Sequence, residues 1–345
     1  MEFLSYLASF VVASPPPERS VLGVCLEQNP THRKVQEDFL HTDLSFGGTS
    51  PSPSGQPRCC YLGVYDGHGG HEVAEYVSKK LHSRVLDCMS LMRLESEKSR
   101  VLRGGVDGVN GSAAVLPVDV FDGEDVEAGD GGDWTAALKY AYDQIDNDMA
   151  DDELPFGTDC GSTAATCVVS CSSPLPSMAS SLPPPAAGDP AASASSPRYI
   201  FTANCGDSHI VLVRHPPFPP LRLTVPHRPT VPSEAARLKE AGAMVFRGRV
   251  GGSLAVSRAL GHLYDKEVII GTPDVSKTRI DDKTDSAVVV ATDGVWDVLD
   301  DKTVADIVNE GIKAGRDAKQ IADDIAIKVL QKNGQDNIAV IVLLL

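Results

Sequence analysis

An α+β fold, with two packed sheets covered on the outside by pairs of helices, is expected for this chain of 345 residues. Three features of the sequence point to it. Runs with period-two alternation or continuous β-branched residues recur along the whole length. Between them lie helical segments, each with a single apolar stripe. The breaks are rich in Gly, Pro and Ser, and the strand or helix pattern resumes after each one. A helix with one apolar stripe must bury it against another element, so stripes interleaved with many strands put the helices on the faces of sheets.

The expected strands, in order, are 21–27, 36–43, 60–65, 163–171, 198–204, 208–213, 221–224, 268–270, 286–292 and 337–345. A long helix follows the glycines at 69 and 70, because Val73, Val77, Leu81 and Val85 recur every four residues and Met89 and Met92 continue the stripe. A second carries Trp134, Leu138, Ala141, Ile145 and Met149, positions that read as core. Two more run near 303–312 (Val304, Ile307, Val308) and 316–332 (Ile321, Ile325, Val329), and Ser233 is the expected cap of a shorter helix ending at Gly242. Residues 1–19 read as an apolar and Pro-rich extension, and 20–345 as a single domain. Segments 45–58, 99–133 and 172–197 interrupt that domain; their Gly, Pro, Ser and Asp content buries almost nothing, so they are expected to be surface loops.

Composition removes several functions. At 42% hydrophobic content the chain can bury a large core, and 47 acidic against 31 basic residues give a formal charge of −16. With no compensating basic block, nucleic-acid binding through phosphate neutralisation is not expected. The eight cysteines show no CxxC spacing or paired framework and several sit inside apolar runs, which suits reduced thiols of a cytoplasmic or nuclear protein. The opening MEFLSYLASFVVAS could act as a secretion signal, although Glu2 stands where a basic residue is usual; it is too short to span a bilayer. No stable membrane insertion is expected.

The chemistry lies at the strand ends. Asp66 follows YLGVY, Asp207 follows YIFTANCG, Asp293 follows AVVVAT, and Asp336 precedes NIAVIVLLL. Glu37 and Asp38 close RKVQED, and Asp297 lies four residues after Asp293. A single Asp in a turn usually bonds its own backbone, but several at the exits of buried strands bring like charges to one sheet rim, tolerable only around a cation. The set is oxygen-only, with no Cys or His pair spaced for zinc, so the fitting ion is Mg²⁺ or Mn²⁺. In YDGHGG the strand is expected to end at Tyr65, with Asp66 at its tip and the glycines turning the chain so that the Gly67 carbonyl and the His68 imidazole face one place. Arg33 can fork onto phosphate oxygens, and His68 titrates in the range of a general acid. The structural alternatives are an ordinary surface arginine and a satisfied histidine.

Taken together, RKVQED, YDGHGG, GSTA (161–164), ANCGDS (203–208), GGSLAVSRALG (251–261), ATDGVWD and QDNIAVIV resemble, in order and over about residues 20–345, the metal-dependent protein phosphatases of type 2C. The resemblance implies a four-layer α/β/β/α sandwich, two mainly antiparallel sheets flanked by helix pairs, with two Mg²⁺ or Mn²⁺ ions at one end. It implies that Asp66 bridges the ions, that Gly67 offers its carbonyl, and that Glu37, Asp293 and Asp336 complete the shell. Asp38 would steer the metal-bound water, Arg33 would bind substrate phosphate, and His68 would be the acid. Asp207 and Asp297, with Asp293, match a weaker third ion site. The implied reaction is direct attack of metal-bound hydroxide on phosphoserine or phosphothreonine of protein substrates, by a monomer.

Three positions depart from the family pattern: His209 in place of Arg, His262 in place of Asp, and Gly251 in place of Asn. Residues 226–250 correspond to the family's flap beside the cleft, and Arg237, Lys239, Arg247 and Arg249 there read either as a solvated face or as a phosphopeptide-guiding patch. The competing function is a pseudophosphatase, a binding protein on the same fold, which should have lost at least one ligand carboxylate. Every expected ligand is present.

Overall fold

The computed structural model describes residues 20–47, 58–104, 134–151, 159–171 and 197–345. In chain order the elements are β1 (Leu22–Glu27), β2 (Asp38–Phe46), β3 (Arg58–His68), α1 (Glu72–Gly104), α2 (Trp134–Asp151), β4 (Gly161–Ser162), β5 (Ala164–Cys171), β6 (Tyr199–Cys205), β7 (His209–Arg214) and β8 (Leu221–Arg222). There follow α3 (Pro232–Glu240), β9 (Val245–Phe246), β10 (Arg249–Val250), β11 (Leu260–Gly261), β12 (Asp274–Arg279), β13 (Asp285–Ala291), α4 (Asp293–Trp296), α5 (Asp301–Lys313), α6 (Ala318–Gln331) and β14 (Ile338–Leu344). One sheet runs β1-β14-β13-β7-β8; the other runs β11-β4-β3-β5-β6-β12, with β2 added on β3. The strands of both sheets pair antiparallel.

The period of two explains why the central strands are apolar throughout. On β13 and β14, Val289, Ala291, Val340 and Val342 face Val304, Val308, Ile321 and Ile325 of α5 and α6. The alternate residues Val288, Val290, Ile341 and Leu343 pack with Cys60, Leu62 and Val64 of β3 and Cys167 and Val169 of β5. The other face of β3, Tyr61 and Tyr65, meets Val77, Leu81 and Val85 of α1 and Leu138, Tyr142 and Ile145 of α2. Each fully buried aliphatic side chain in these clusters is worth about 1.5–3 kcal/mol, so a slip of one residue in register would forfeit an entire face.

The expected stripes of both long helices are buried, Met92 only partly. Asp300 caps α5 by accepting from the Thr303 amide (2.8 Å), and Asp317 makes a capping box with Gln320 on α6. Several details differ from the expectation. Helix α3 is capped at Val231 with Pro232 in its first turn, so Ser233 lies inside it. Residues 268–270 form no strand: Ile270 makes only an isolated bridge to Arg258. The 221–224 run shortens to Leu221–Arg222. Strand β12 (DVSKTR) shows no apolar alternation because it is a half-exposed edge, held through its backbone to β6. Helix α1 continues through the first residues of the expected 99–133 loop; the rest of that segment, 48–57 of the 45–58 segment, 172–196 of the 172–197 segment, and the 1–19 extension lie outside the described residues. Among the described residues, no helix is long and apolar enough to cross a membrane.

Candidate metal centre

β3 does not stop at Tyr65. It continues through Asp66, Gly67 and His68, where Gly67 and His68 pair with Ser162 and Gly161 of β4. The turn follows, at Gly69 (φ 70°) and Gly70 (φ 140°). Register places Asp66 opposite Asp38 of β2, and the Gly67 amide donates to the Glu37 carbonyl (3.0 Å). A Cβ on residue 67 would stand 2.7 Å from that carbonyl oxygen, so only glycine allows the two strands to approach here. From the other sheet, Asp293 emerges after β13 as the first residue of α4. A Cβ on Gly294 would meet the Asn337 carbonyl at 1.8 Å, so glycine brings α4 against the start of β14, beside Asp336.

The result is a rim of carboxylates. Asp66, Asp207 and Asp293 each offer an oxygen, all within 4.8 Å of one another. Burial raises the Asp66 carboxyl well above its ordinary range, and Asp293, Asp38, Asp207 and Asp336 push it further. Asp293 is raised well above its range by burial and then by Asp207, Asp336, Asp297 and Asp38. Asp38, fully inside, is pushed up to about 7 by burial, with Asp336 adding and the hydrogen bond from Thr292 Oγ1 (2.9 Å) opposing. Asp207 is raised by burial, against which Arg228 works. Protons hold these carboxyls together only by neutralising them; hard divalent cations fit the all-oxygen donor set and would replace the protons.

Glu37 and Asp336 lie beside the trio without joining it. Glu37 is fixed through its backbone, its amide donating to Asn337 Oδ1 (2.9 Å). Asp336 pairs with Arg33, so the expected phosphate-binding arginine is held at the mouth by one of the expected ion ligands. His68 departs from the expectation in its titration: burial, then the facing His262 ring, push its imidazolium down to about 3. The two rings lie 26° apart with Nε2···Nε2 at 2.7 Å, so one donates to the other.

Sequence reading missed Arg228. Its Nε donates to Asp207 Oδ2 (2.9 Å), its Nη2 donates to Asp297 Oδ1 (2.7 Å), and the same nitrogen lies 3.8 Å from Asp293 Oδ2. The partners sit 21 and 69 residues away in the chain, so no local spacing announced them. Asp207 and Asp297 therefore meet around a guanidinium. Nor do the flap arginines form one free patch: Arg237 binds Glu234 and the carbonyls of Val268 and Ser257, Arg249 binds the Ser253 carbonyl, and Arg247 lies over the Phe246 ring.

The three departures have physical readings. Gly251 (φ 60°) and His262 (φ 50°) both occupy the left-handed region, which Asn, Asp and His tolerate better than most residues. His209 is buried and stacks on Trp296 with ring centroids 4.1 Å apart.

A sheet rim of converging carboxylates, backed by apolar clusters between and outside two sheets, is an arrangement that could hold a metal ion. The family description "Protein phosphatase 2C" matches residues 117–338. Protein phosphatase 2C 77 of Arabidopsis thaliana is 29% identical over 307 residues, covering 82% of this chain and 59% of the relative. Protein phosphatase 2C homolog 1 of Saccharomyces cerevisiae is 26% identical over 325 residues, covering 94% and 93%. The crystal structure of a serine-threonine phosphatase 2C from Toxoplasma gondii shares the fold at a TM-score of 0.64 with 20% identity, covering 94% of each chain. The chain belongs to the protein phosphatase 2C family. It spans little more than half the length of several plant relatives it matches.

Proposed function

We propose that this chain is a metal-dependent phosphatase acting on phosphoserine and phosphothreonine in proteins. The observation that carries the reading is the meeting of Asp66, Asp207 and Asp293 within 4.8 Å at one end of the sheets. Asp66, Glu37, Asp293, Asp336 and the Gly67 carbonyl are the proposed ligands of two Mg²⁺ or Mn²⁺ ions, which when bound would supply an activated water and a counter-charge for the phosphoryl group. Asp38, which accepts from Thr292, would orient that water and hold its proton. Arg33 sits at the mouth beside Asp336, where its fork can reach phosphate oxygens. His68 and His262 form a pair that can pass a proton to the leaving alkoxide, and a phosphate dianion beside them would oppose the lowering that burial imposes.

The pseudophosphatase alternative finds no support, since every carboxylate it should have lost is retained. The proposed setting is the cytoplasm or nucleus, a reading that rests on the cysteine pattern. The test is hydrolysis of a phosphothreonine peptide after stripping with a chelator. Activity is expected to vanish and to return with Mn²⁺ or Mg²⁺; a rate indifferent to chelation would reject the mechanism.

A further inference from the structure

Arg228 is held in place from two sides. Its neighbour His227 is 2% exposed, and its backbone amide donates to the Gly206 carbonyl (2.8 Å) while its Nδ1 accepts from the Gly206 amide (3.1 Å). The remaining ring nitrogen of His227 lies 3.1 Å from Asp274, which itself pairs with Arg258. The backbone at 227 is thus fastened to the turn between β6 and β7 that carries Asp207. The adjacent guanidinium is thereby aimed at the carboxylates and does not sweep through solvent.

Its charge is placed where an ion would be. One fork bridges Asp207 and Asp297, and its Nη2 lies 3.8 Å from Asp293. Those are the three residues to which the family resemblance assigns the weaker third ion. Burial works against the charge on Arg228, yet Asp207, Asp297 and Asp293 hold it above its ordinary range. A divalent ion placed there would face a fixed positive charge at close range, and would have to break two charge-assisted hydrogen bonds to reach the oxygens.

We infer that Arg228 is the resident cation of the Asp207–Asp293–Asp297 position, so that this chain binds two divalent ions and accepts a third only when Arg228 is removed. The inference rests on the reading that the rim holds divalent ions. It also gives the flap segment a tether to the rim, since the loop entering α3 is fastened through the same side chain.

The experiment counts Mn²⁺ per full-length chain by equilibrium dialysis and calorimetry, after chelator stripping, up to millimolar free Mn²⁺. Two ions are expected for the wild type and for Arg228→Lys, three for Arg228→Gln, and two again for Arg228→Gln combined with Asp297→Asn. Three ions in the wild type, or two in both the wild type and Arg228→Gln, would overturn the inference while leaving the metal centre intact. No Mn²⁺ bound by any of these proteins would overturn the metal-centre reading and this inference with it. Should Arg228→Gln fail to fold, Arg228→Met takes its place with the same expected count of three, and two ions there would overturn the inference.

Discussion

The rim of the sheets and the base of the flap both hold carboxylates away from solvent, and they are built in opposite ways. At the base of the flap, Glu234 is 1% exposed and is surrounded by donors: Arg258 and Arg237 bind its two oxygens, and Ser257 Oγ adds a third contact at 2.8 Å. Burial alone would raise its pKa, yet Arg258, Ser257 and Arg237 hold it down at about 2. At the sheet rim, Asp66 and Asp293 face other carboxylates and are raised well above their ordinary range. The chain can satisfy a buried carboxylate fully, and does so where the role is structural. Among the described residues, the protein cations paired with the rim carboxylates are Arg33, on Asp336, and Arg228, on Asp207 and Asp297, and Asp66 pairs with neither.

The contrast is sharpest in catalysis. Asp66→Asn should lower turnover at least ~1000-fold, about 4 kcal/mol of barrier, because it removes the proposed bridging ligand, whereas circular dichroism should show the fold intact. Loss of the fold together with activity would place Asp66 with Glu234 as a structural group. Glu234→Gln is expected to cost about 3 kcal/mol in denaturant unfolding, since it leaves Arg237 partly buried without its counter-charge and Arg258 with Asp274 alone; a change within ~0.5 kcal/mol would erase the distinction.

The rim should also report its protons. Asp38, Asp66 and Asp293 have folded-state pKa values above their unfolded ones, so without ions they stabilise the protein at low pH, and that contribution is lost as pH rises through the folded values. Between pH 7 and 8, above unfolded histidine and below unfolded thiols, chelated protein should lose up to about 1.4 kcal/mol per pH unit for each carboxyl still protonated. Saturating Mn²⁺ should flatten that slope, and thermal melts at several pH values with and without the ion check both statements. The smallest effect is the most diagnostic: Asp293→Asn in chelated protein should raise unfolding stability by about 1 kcal/mol, since it relieves like-charge repulsion, and should sharply reduce the gain from Mn²⁺. A loss of stability without ions would mean that the rim is satisfied as it stands.

Much of this was legible in the chain. Local periodicity placed the longer strands except β12 and every helix except the four-residue α4, while the two-residue strands β4, β9, β10 and β11 carry too little pattern to be read, and the position of an Asp at the exit of a buried strand told which carboxylates would reach a rim. Edge strand β12 was hidden because a half-exposed edge needs no apolar alternation, and the start of α3 because the helix begins at Pro232 after Val231, with no side-chain cap. What local pattern cannot carry is the choice of partner. Arg33 meets Asp336 across 303 residues, His68 meets His262 across 194, and Arg228 finds Asp207 and Asp297 through the packing of a loop against two sheet exits. The residue types and their place on each element follow from short-range chemistry; which charge stands against which follows from register and sheet packing, which exist only once the distant segments have come together.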